Sequence, residues 1–183
     1  MKVTVFIAAS LDGFIARKNG DIDWLPSPSG EDHGYEALMR SVDALVMGRH
    51  TFEKMLTFDE WFYGDKRIVV LSSKPVVIPD RISAHVESMT GSPNEIIARL
   101  TGRGYRHLYV DGGVTIQRFL SDGLVNRLII TWIPVLIGRG IPLFGPLTRD
   151  VHLKHRATRS YPSGLVQSEY EVISPRAAVA EID

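Results

Sequence analysis

The fold of this chain is decided by the stretch Asp43-Ala44-Leu45-Val46-Met47-Gly48-Arg49-His50-Thr51. Its apolar residues are consecutive and not alternating, which is typical of a strand covered on both faces. After Gly48 the chain passes into a segment that we predict to be helical from Thr51 to Leu56. The stretch therefore predicts one strand-turn-helix unit of a mainly parallel sheet.

The same alternation of apolar strands and helices recurs along most of the chain. Strands are predicted at Lys2 to Ala9, Ala44 to Met47, Arg67 to Leu71, His107 to Val110 and Asn126 to Val135. Helices are predicted at Asp32 to Ser41, Thr51 to Leu56, Pro93 to Thr101 and Thr115 to Ser121. The third helix has the clearest start, because Ser92, Pro93 and Glu95 form a capping-box pattern.

The C-terminal part of the chain has a different pattern. From Val166 to Val172, apolar or small side chains alternate with Gln and Glu, which indicates an antiparallel strand with one face in water. A partner strand is predicted at Val151 to Ser160, with a turn at Tyr161-Pro162-Ser163-Gly164. We predict an α/β protein with a three-layer fold: a mixed, mainly parallel sheet with helices on both faces and a C-terminal antiparallel hairpin. Residues 1–175 are predicted as one domain and residues 176–183 as a C-terminal tail.

Composition excludes several classes of function. The 183 residues include 21 basic and 21 acidic side chains, with no basic stripe that would predict nucleic-acid binding. The longest apolar stretch is too short to cross a membrane, and the cytoplasm is the expected location. Without cysteine the chain has no thiolate metal ligand. His152 and His155 are predicted on opposite faces of a strand, so that no metal site is expected.

Two glycine-containing junctions between a strand and a helix are candidate phosphate sites. Gly48-Arg49-His50-Thr51 combines a glycine, a cation and a hydroxyl at a helix start, where free N–H groups and the helix dipole favour anions. Asp111-Gly112-Gly113-Val114-Thr115 offers bare backbone at the end of a second strand. Either junction alone is equally well explained as a tight turn, but the pair favours a dinucleotide site. Ser72-Ser73-Lys74 follows a third strand and could meet the 2′-phosphate of NADPH.

The order of these features resembles the dihydrofolate reductase superfamily. The resemblance is carried by five blocks: Phe6 to Ala16, Asn19 to Leu25, Val46 to Glu53, Val110 to Gly113 and Pro134 to Phe144. Ser10-Leu11-Asp12-Gly13 and the last two blocks are similar to the branch that contains the riboflavin-biosynthesis reductase domain, the RibD C-terminal domain. The resemblance implies a dihydrofolate reductase-like fold and NADPH as cofactor.

The resemblance also implies which residues form the site. Backbone at Ala8 and Ala9 would meet the nicotinamide amide, Gly48 to Thr51 a phosphate, Ser72 to Lys74 the 2′-phosphoadenosine, and Gly112 to Ile116 the pyrophosphate and nicotinamide. The implied cofactor-binding residues are Ala8, Ala9, Gly48, Arg49, His50, Thr51, Leu71, Ser72, Ser73, Lys74, Val110, Gly112, Gly113, Val114, Thr115 and Ile116.

The sequence indicates the proton donor and the substrate-binding residues less clearly than the cofactor-binding residues. Glu31 and Asp32, at the start of the predicted helix, are the candidate catalytic acids, and stabilisation of a helix N-terminus is an equal alternative. Trp24 and Asp12 are candidate substrate-binding residues, and Asp12 has a simple turn role as its alternative.

Three functions remain open from the sequence. The first is an NADPH-dependent reductase of a pterin-like or pyrimidine-like heterocycle, similar to 5-amino-6-(5-phosphoribosylamino)uracil reductase. The second is a divergent dihydrofolate reductase, and the third is an NADPH-binding module without turnover. A homodimer is expected, because Arg127 to Ile137 offers a long apolar strand.

Overall fold

The computed structural model describes residues 1–26 and 30–173. Its strands are β1 (Lys2–Ser10), β2 (Phe14–Ala16), β3 (Ala44–Gly48), β4 (Arg67–Leu71), β5 (Val86–Met89), β6 (His107–Asp111), β7 (Arg127–Ile133), β8 (Ile141–Pro142), β9 (Leu153–Ser160) and β10 (Val166–Val172). Its helices are α1 (Tyr35–Ser41), α2 (Arg49–Met55), α3 (Pro93–Gly102) and α4 (Gly113–Ser121), with a short 3₁₀ turn at Asp80–Ile82.

Eight of these strands form one mixed sheet in the order β5-β4-β3-β6-β1-β7-β10-β9. The pairs from β5 to β7 are all parallel. Only β10 runs antiparallel to its neighbours β7 and β9, and it forms the predicted hairpin with β9. The strands β2 and β8 make a small antiparallel pair of their own. The predicted mainly parallel sheet with a C-terminal hairpin is confirmed.

Helices cover the two faces of the sheet. Successive strand residues point to opposite faces, so that Ala44 and Val46 belong to one buried cluster while Leu45 and Met47 belong to the other. The first cluster includes Ile96 and Leu100 of α3 and Ile116 and Phe119 of α4, whereas the second includes Leu38 of α1 and Phe52 of α2. The consecutive apolar residues of the central strands therefore serve two cores, as the sequence predicts.

The helix predicted from Asp32 begins instead at Tyr35. The Asp32 carboxylate accepts a hydrogen bond from Gly34 N–H, and Gly34 has φ of +81°, which is not helical. Glu31 and Asp32 consequently precede α1, so the alternative role at the predicted helix start is wrong. Two other helices start two residues earlier than predicted, α2 at Arg49 and α4 at Gly113.

Other local predictions have mixed outcomes. The capping box of α3 is present, with Ser92 and Glu95 bonding reciprocally. The short strands β2, β5 and β8 were not predicted, because pieces of two to four residues carry too little periodicity. The strand β9 begins at Leu153, so His152 precedes it and the prediction that His152 shares a strand with His155 is wrong; both histidines are exposed.

The apolar strand that suggested a dimer is internal. Arg127–Ile133 lies between β1 and β10, and its apolar side chains are buried within the monomer. Leu136, in the remainder of the predicted apolar range, is 70% exposed, and the homodimer stays a prediction. The longest helix among the described residues, α3, has 10 residues. No helix in this part of the chain is long and apolar enough to span a membrane. The predicted tail, residues 176–183, lies outside the described residues.

Candidate functional site

The carboxyl ends of the parallel strands gather the predicted cofactor residues at one edge of the sheet. In the ladder, Met47 pairs with Asp111 and Gly48 pairs with Leu71. The two glycine junctions and the segment that follows β4 are therefore neighbours in space. Ligands of open α/β sheets bind at this edge.

The two glycine junctions pack directly against each other. A Cβ on Gly48 would lie 3.0 Å from Thr115 Oγ1, and a Cβ on Gly112 would clash with Thr51 Oγ1. Gly112 also has φ of +87°, a conformation that disfavours other residues. Each glycine thus makes room for the threonine of the other junction, and the starts of α2 and α4 form one continuous surface. The leading N–H groups of both helices lack partners within the helix, which fits a bound diphosphate.

The basic residues of the first junction are already engaged with a carboxylate. Arg49 donates to Glu53 Oε1 at 2.7 Å, and the His50 ring lies 3.3 Å from Glu53 Oε2. The Arg49 side chain is about a quarter exposed, whereas that of His50 is 86% exposed. Arg49 is therefore the better placed of the two to contact a phosphate, in competition with Glu53.

In the segment after β4, one predicted residue holds a turn and two are exposed at the surface. Ser72 Oγ accepts from Lys74 N–H at 3.0 Å and donates to Lys74 C=O at 2.6 Å, which closes a tight turn. Ser73 and Lys74 are exposed on that turn, and no hydrogen bond of either side chain occurs within the described part of the chain. Their hydroxyl and ammonium groups are therefore available to a phosphate, while Ser72 holds the turn.

A cavity of about 630 Å³ lies beside this edge, at the ends of β1 and β7. It is lined by Phe6, Ala8, Leu25, Pro26, Gly30, Glu31, Asp32, His33, Tyr35, Glu36, Thr131, Ile133 and Leu165. Three predicted site residues, Ala8, Glu31 and Asp32, thus lie together on its wall. Aromatic and apolar walls with a few polar groups are typical of a small-molecule site.

The two predicted acids have different surroundings. Glu31 accepts hydrogen bonds from Ser163 N–H at 3.1 Å and from Ser163 Oγ at 2.5 Å. It also lies 3.5 Å from the Nε2 of His33, whose ring stacks on Tyr161 at 4.4 Å between centroids. Asp32 is exposed and accepts from Gly34 N–H at 2.7 Å. Of the two, Glu31 is the one held in a fixed position by a distant part of the chain.

The two predicted substrate-binding residues lie outside this wall. Asp12 accepts from Ser10 Oγ at 2.6 Å, from Gly138 N–H at 2.7 Å and from Ile137 N–H at 3.3 Å. The Ser10 hydroxyl and these backbone donors hold the pKa of the Asp12 carboxyl below its ordinary value. Asp12 therefore ties its own turn to the loop that follows β7. Trp24 has its indole N–H buried and without a partner among the described residues.

Asp111 is an acidic group that the sequence did not single out for chemistry. It ends β6, and its Oδ1 accepts from Gly112 N–H at 2.7 Å. Burial raises the pKa of its carboxyl from 3.8 to about 6, with the Gly112 hydrogen bond opposing the shift. Desolvation and the nearby Asp111 charge raise the pKa of Tyr35 to about 12, and the pKa of Tyr63 and of Tyr109 is raised in the same way. A carboxyl group with a raised pKa therefore lies near enough to Tyr35, which lines the cavity, to act on its pKa.

The residues next to Asp111 and His33 in the sequence do not identify either of them as part of a functional site. The sequence clue to the burial of Asp111 is its position between an apolar strand and two glycines, because the end of such a strand is enclosed by neighbouring strands. His33 is held at the site by stacking on Tyr161 and by its neighbour Glu31, which bonds to Ser163; both partners are more than 120 residues away along the chain.

The model of the RibD C-terminal domain family matches residues 1–167. The uncharacterized protein YwjB of Bacillus subtilis (strain 168) is 34% identical over 163 residues, which is 87% of this chain and 92% of YwjB. The riboflavin biosynthesis protein RibD of Corynebacterium ammoniagenes is 28% identical over 165 residues, 81% of this chain but only 48% of RibD.

Solved structures agree with the family match. A Shewanella sp. PV-4 protein assigned to riboflavin biosynthesis superposes with a TM-score of 0.88 at 41% identity, over 95% of this chain and 100% of that one. The dihydrofolate reductase of Enterococcus faecalis, in a complex with NADP(H), superposes with a TM-score of 0.66 at 17% identity, over 94% and 97%. The latter likeness concerns the fold alone. The chain belongs to the RibD C-terminal domain family, whose reductase-like members share the dihydrofolate reductase type of fold.

Proposed function

We propose that this protein is an NADPH-dependent reductase that transfers a hydride to a pterin-like or pyrimidine-like heterocycle. One observation carries the proposal: Ala8, at the end of β1, lines the cavity, and β1 pairs with β6, whose end bears the Gly112 junction. A cofactor whose diphosphate rests on the glycine junctions would bring its nicotinamide to the cavity wall at Ala8. The cofactor supplies the hydride, while the protein positions both reactants and excludes water.

The residues divide the binding of NADPH between them. The starts of α2 and α4 would hold the diphosphate, with Arg49 as an additional cation. Ser73 and Lys74, exposed after β4, would hold the 2′-phosphate that distinguishes NADPH from NADH. The shared fold supports this division, since the dihydrofolate reductase of Enterococcus faecalis, which has the same fold, was solved in a complex with NADP(H).

Reduction of a C=N bond also needs a proton. A group with a pKa near the working pH is the most efficient donor, and the pKa of Asp111 is about 6. We infer that Asp111, whose charge acts on the cavity residue Tyr35, supplies the proton, and that Glu31, fixed by Ser163 on the cavity wall, orients the substrate.

Oxidation of NADPH in the presence of a panel of reduced and oxidised pterins and aminopyrimidines tests the proposal. At least one heterocycle should accelerate NADPH consumption, and the Asp111→Asn variant should lose most of this rate while it still binds NADPH. Tight NADPH binding without consumption on any heterocycle would support a binding module instead. Absence of NADPH binding would reject both functions.

A further inference from the structure

The cavity has one wall formed by strands and one formed by a loop. Ala8 and Thr131 belong to the strand wall, where they are register partners on the neighbouring parallel strands β1 and β7. The loop wall is the segment 31–33, which precedes α1 and belongs to no helix or strand. Within the described part of the chain, no backbone–backbone hydrogen bond involves this segment. The position of the loop wall therefore depends on contacts with side chains.

Gln167 connects the two walls. It is the register partner of Thr131 on β10, so that Ala8, Thr131 and Gln167 form one row across three strands. The side chains of such a row lie on the same face of the sheet. Gln167 Nε2 donates one hydrogen bond to Thr131 Oγ1 and one to the backbone C=O of His33, both at 3.0 Å. The two N–H groups of the amide are thus divided between the strand wall and the loop wall.

Tyr161 closes a set of contacts around Gln167 and His33. Its hydroxyl donates to Gln167 Oε1 at 3.4 Å, which favours the amide orientation that points Nε2 at the walls. Its ring stacks on the ring of His33, with 4.4 Å between the centroids. His33 is therefore held through its backbone by Gln167 and through its side chain by Tyr161.

The turn of the C-terminal hairpin adds a further contact and is itself anchored. Ser163 donates to Glu31 through its N–H at 3.1 Å and through its Oγ at 2.5 Å. Leu165, two residues later, is buried, lines the cavity and accepts a hydrogen bond from Tyr161 N–H at 2.9 Å. The hairpin is thus fixed to the sheet, and the loop wall is the part that it positions.

We propose that Gln167 is a positioning residue of the reductase, which sets the distance between the nicotinamide wall at Ala8 and the loop wall at His33. Tyr161 and Ser163 support it. This inference rests on the proposed function. Hydride transfer needs the reacting atoms about 3–3.5 Å apart, and a misplacement of about 1 Å can lower the rate about a hundredfold. Among the described residues, Gln167 lies outside the cavity lining, so it acts through the two walls and not by touching the reactants.

NMR relaxation tests the positioning without any substrate. Gln167→Met removes both donated hydrogen bonds and keeps an unbranched side chain of similar length. Backbone order parameters of residues 30–34 should be about 0.85 in wild type, lower in Gln167→Met, and below about 0.6 when Ser163→Ala is added. Wild-type values in the double variant would overturn the inference, and so would values below about 0.6 in wild type.

Gln117→Met is the matched control for these measurements. Gln117 Nε2 also donates to a backbone carbonyl, that of Pro142 at 2.8 Å, and neither residue lines the cavity. This variant should leave the order parameters of residues 30–34 at their wild-type values. An equal decrease in both variants would overturn the specific role of Gln167.

Kinetics separates positioning from general stability. The probes are dihydrofolate and 5-amino-6-(5-phosphoribosylamino)uracil, the substrates in the names of two fold neighbours. Gln167→Met should lower kcat at least about tenfold with the probe that wild type reduces, and should change the Kd for NADPH by less than about twofold. Ser163→Ala should lower kcat about threefold, whereas Ser163→Thr, which keeps the hydroxyl, should retain the wild-type kcat. A parallel loss of NADPH affinity would indicate general destabilisation and overturn the inference.

The two proposals fail in different ways. If wild type binds no NADPH or reduces neither probe, the proposed function fails for these substrates, and the order parameters decide whether Gln167 positions the loop wall. If wild type reduces a probe and Gln167→Met does so at the same rate, the reductase stands and only the positioning role is wrong.

Discussion

Asp111→Asn should stabilise the protein at neutral pH while it removes the proposed proton donor. Raising the pKa of a carboxyl from 3.8 to about 6 means that folding disfavours its charged form. Each pKa unit corresponds to about 1.36 kcal/mol, so the penalty above the folded pKa is about 3 kcal/mol. Asparagine can still accept the Gly112 N–H and carries no charge, so the variant escapes this penalty.

The sign and the pH window follow from proton binding. Between about pH 4 and pH 6 the native state binds more protons at Asp111 than the unfolded state does, so wild-type stability falls as the pH rises through this range. Urea unfolding of both proteins should therefore give similar free energies near pH 4 and an advantage of up to about 3 kcal/mol for the variant near pH 8.

Asp43→Asn is the matched control with the opposite sign. The Asp43 carboxylate accepts from the backbone N–H groups of Arg106 and His107, which lower its pKa. That variant should be less stable than wild type by a constant amount at pH values above about 4, and the difference should shrink as the pH falls below about 4, where the wild-type carboxyl loses its advantage by protonation. A difference between Asp111→Asn and wild type that does not change with pH would refute the buried-acid reasoning.

Four further substitutions test the cofactor edge. Lys74→Ala should raise the Kd for NADPH about tenfold and leave that for NADH unchanged in a fluorescence titration, whereas equal weakening would place Lys74 away from the 2′-phosphate. Arg49→Ala should weaken NADPH binding by about 1–3 kcal/mol, and Glu53→Gln, which releases Arg49 from its ion pair, should tighten it. Gly112→Ala places a methyl group against Thr51 at φ of +87° and should cost about 1–3 kcal/mol in the free energy of unfolding. Stability of that variant within about 0.5 kcal/mol of wild type would contradict the packing of the two junctions.

The sequence predicted the features that depend on local pattern. Apolar runs such as Ala44–Gly48 and Arg67–Leu71 define strands because burial on both faces requires it. Glycines followed by helices define the junctions, and the capping box at Ser92 defines a helix start, because each involves residues close together in the chain. The start of α1 was predicted too early, because the bond from Gly34 N–H to Asp32 competes with the helix.

The missed features depend on distant parts of the chain. Asp111 becomes a buried acid because the sheet encloses the end of β6 among Tyr35, Tyr63 and Tyr109, and periodicity carries no information about that enclosure. Glu31 meets Ser163 across 132 positions of sequence, through the turn of the C-terminal hairpin. Such contacts require the topology of the sheet, which a single sequence does not specify.

The central claim is that the carboxyl edge of the sheet binds NADPH beside the cavity. Titration of wild-type protein with NADPH and with NADH, followed by cofactor fluorescence, tests it most directly. We expect saturable binding of one NADPH per chain, at least about tenfold tighter than that of NADH because of the 2′-phosphate. Equal affinity for both cofactors, or no saturable binding of either, would contradict the claim.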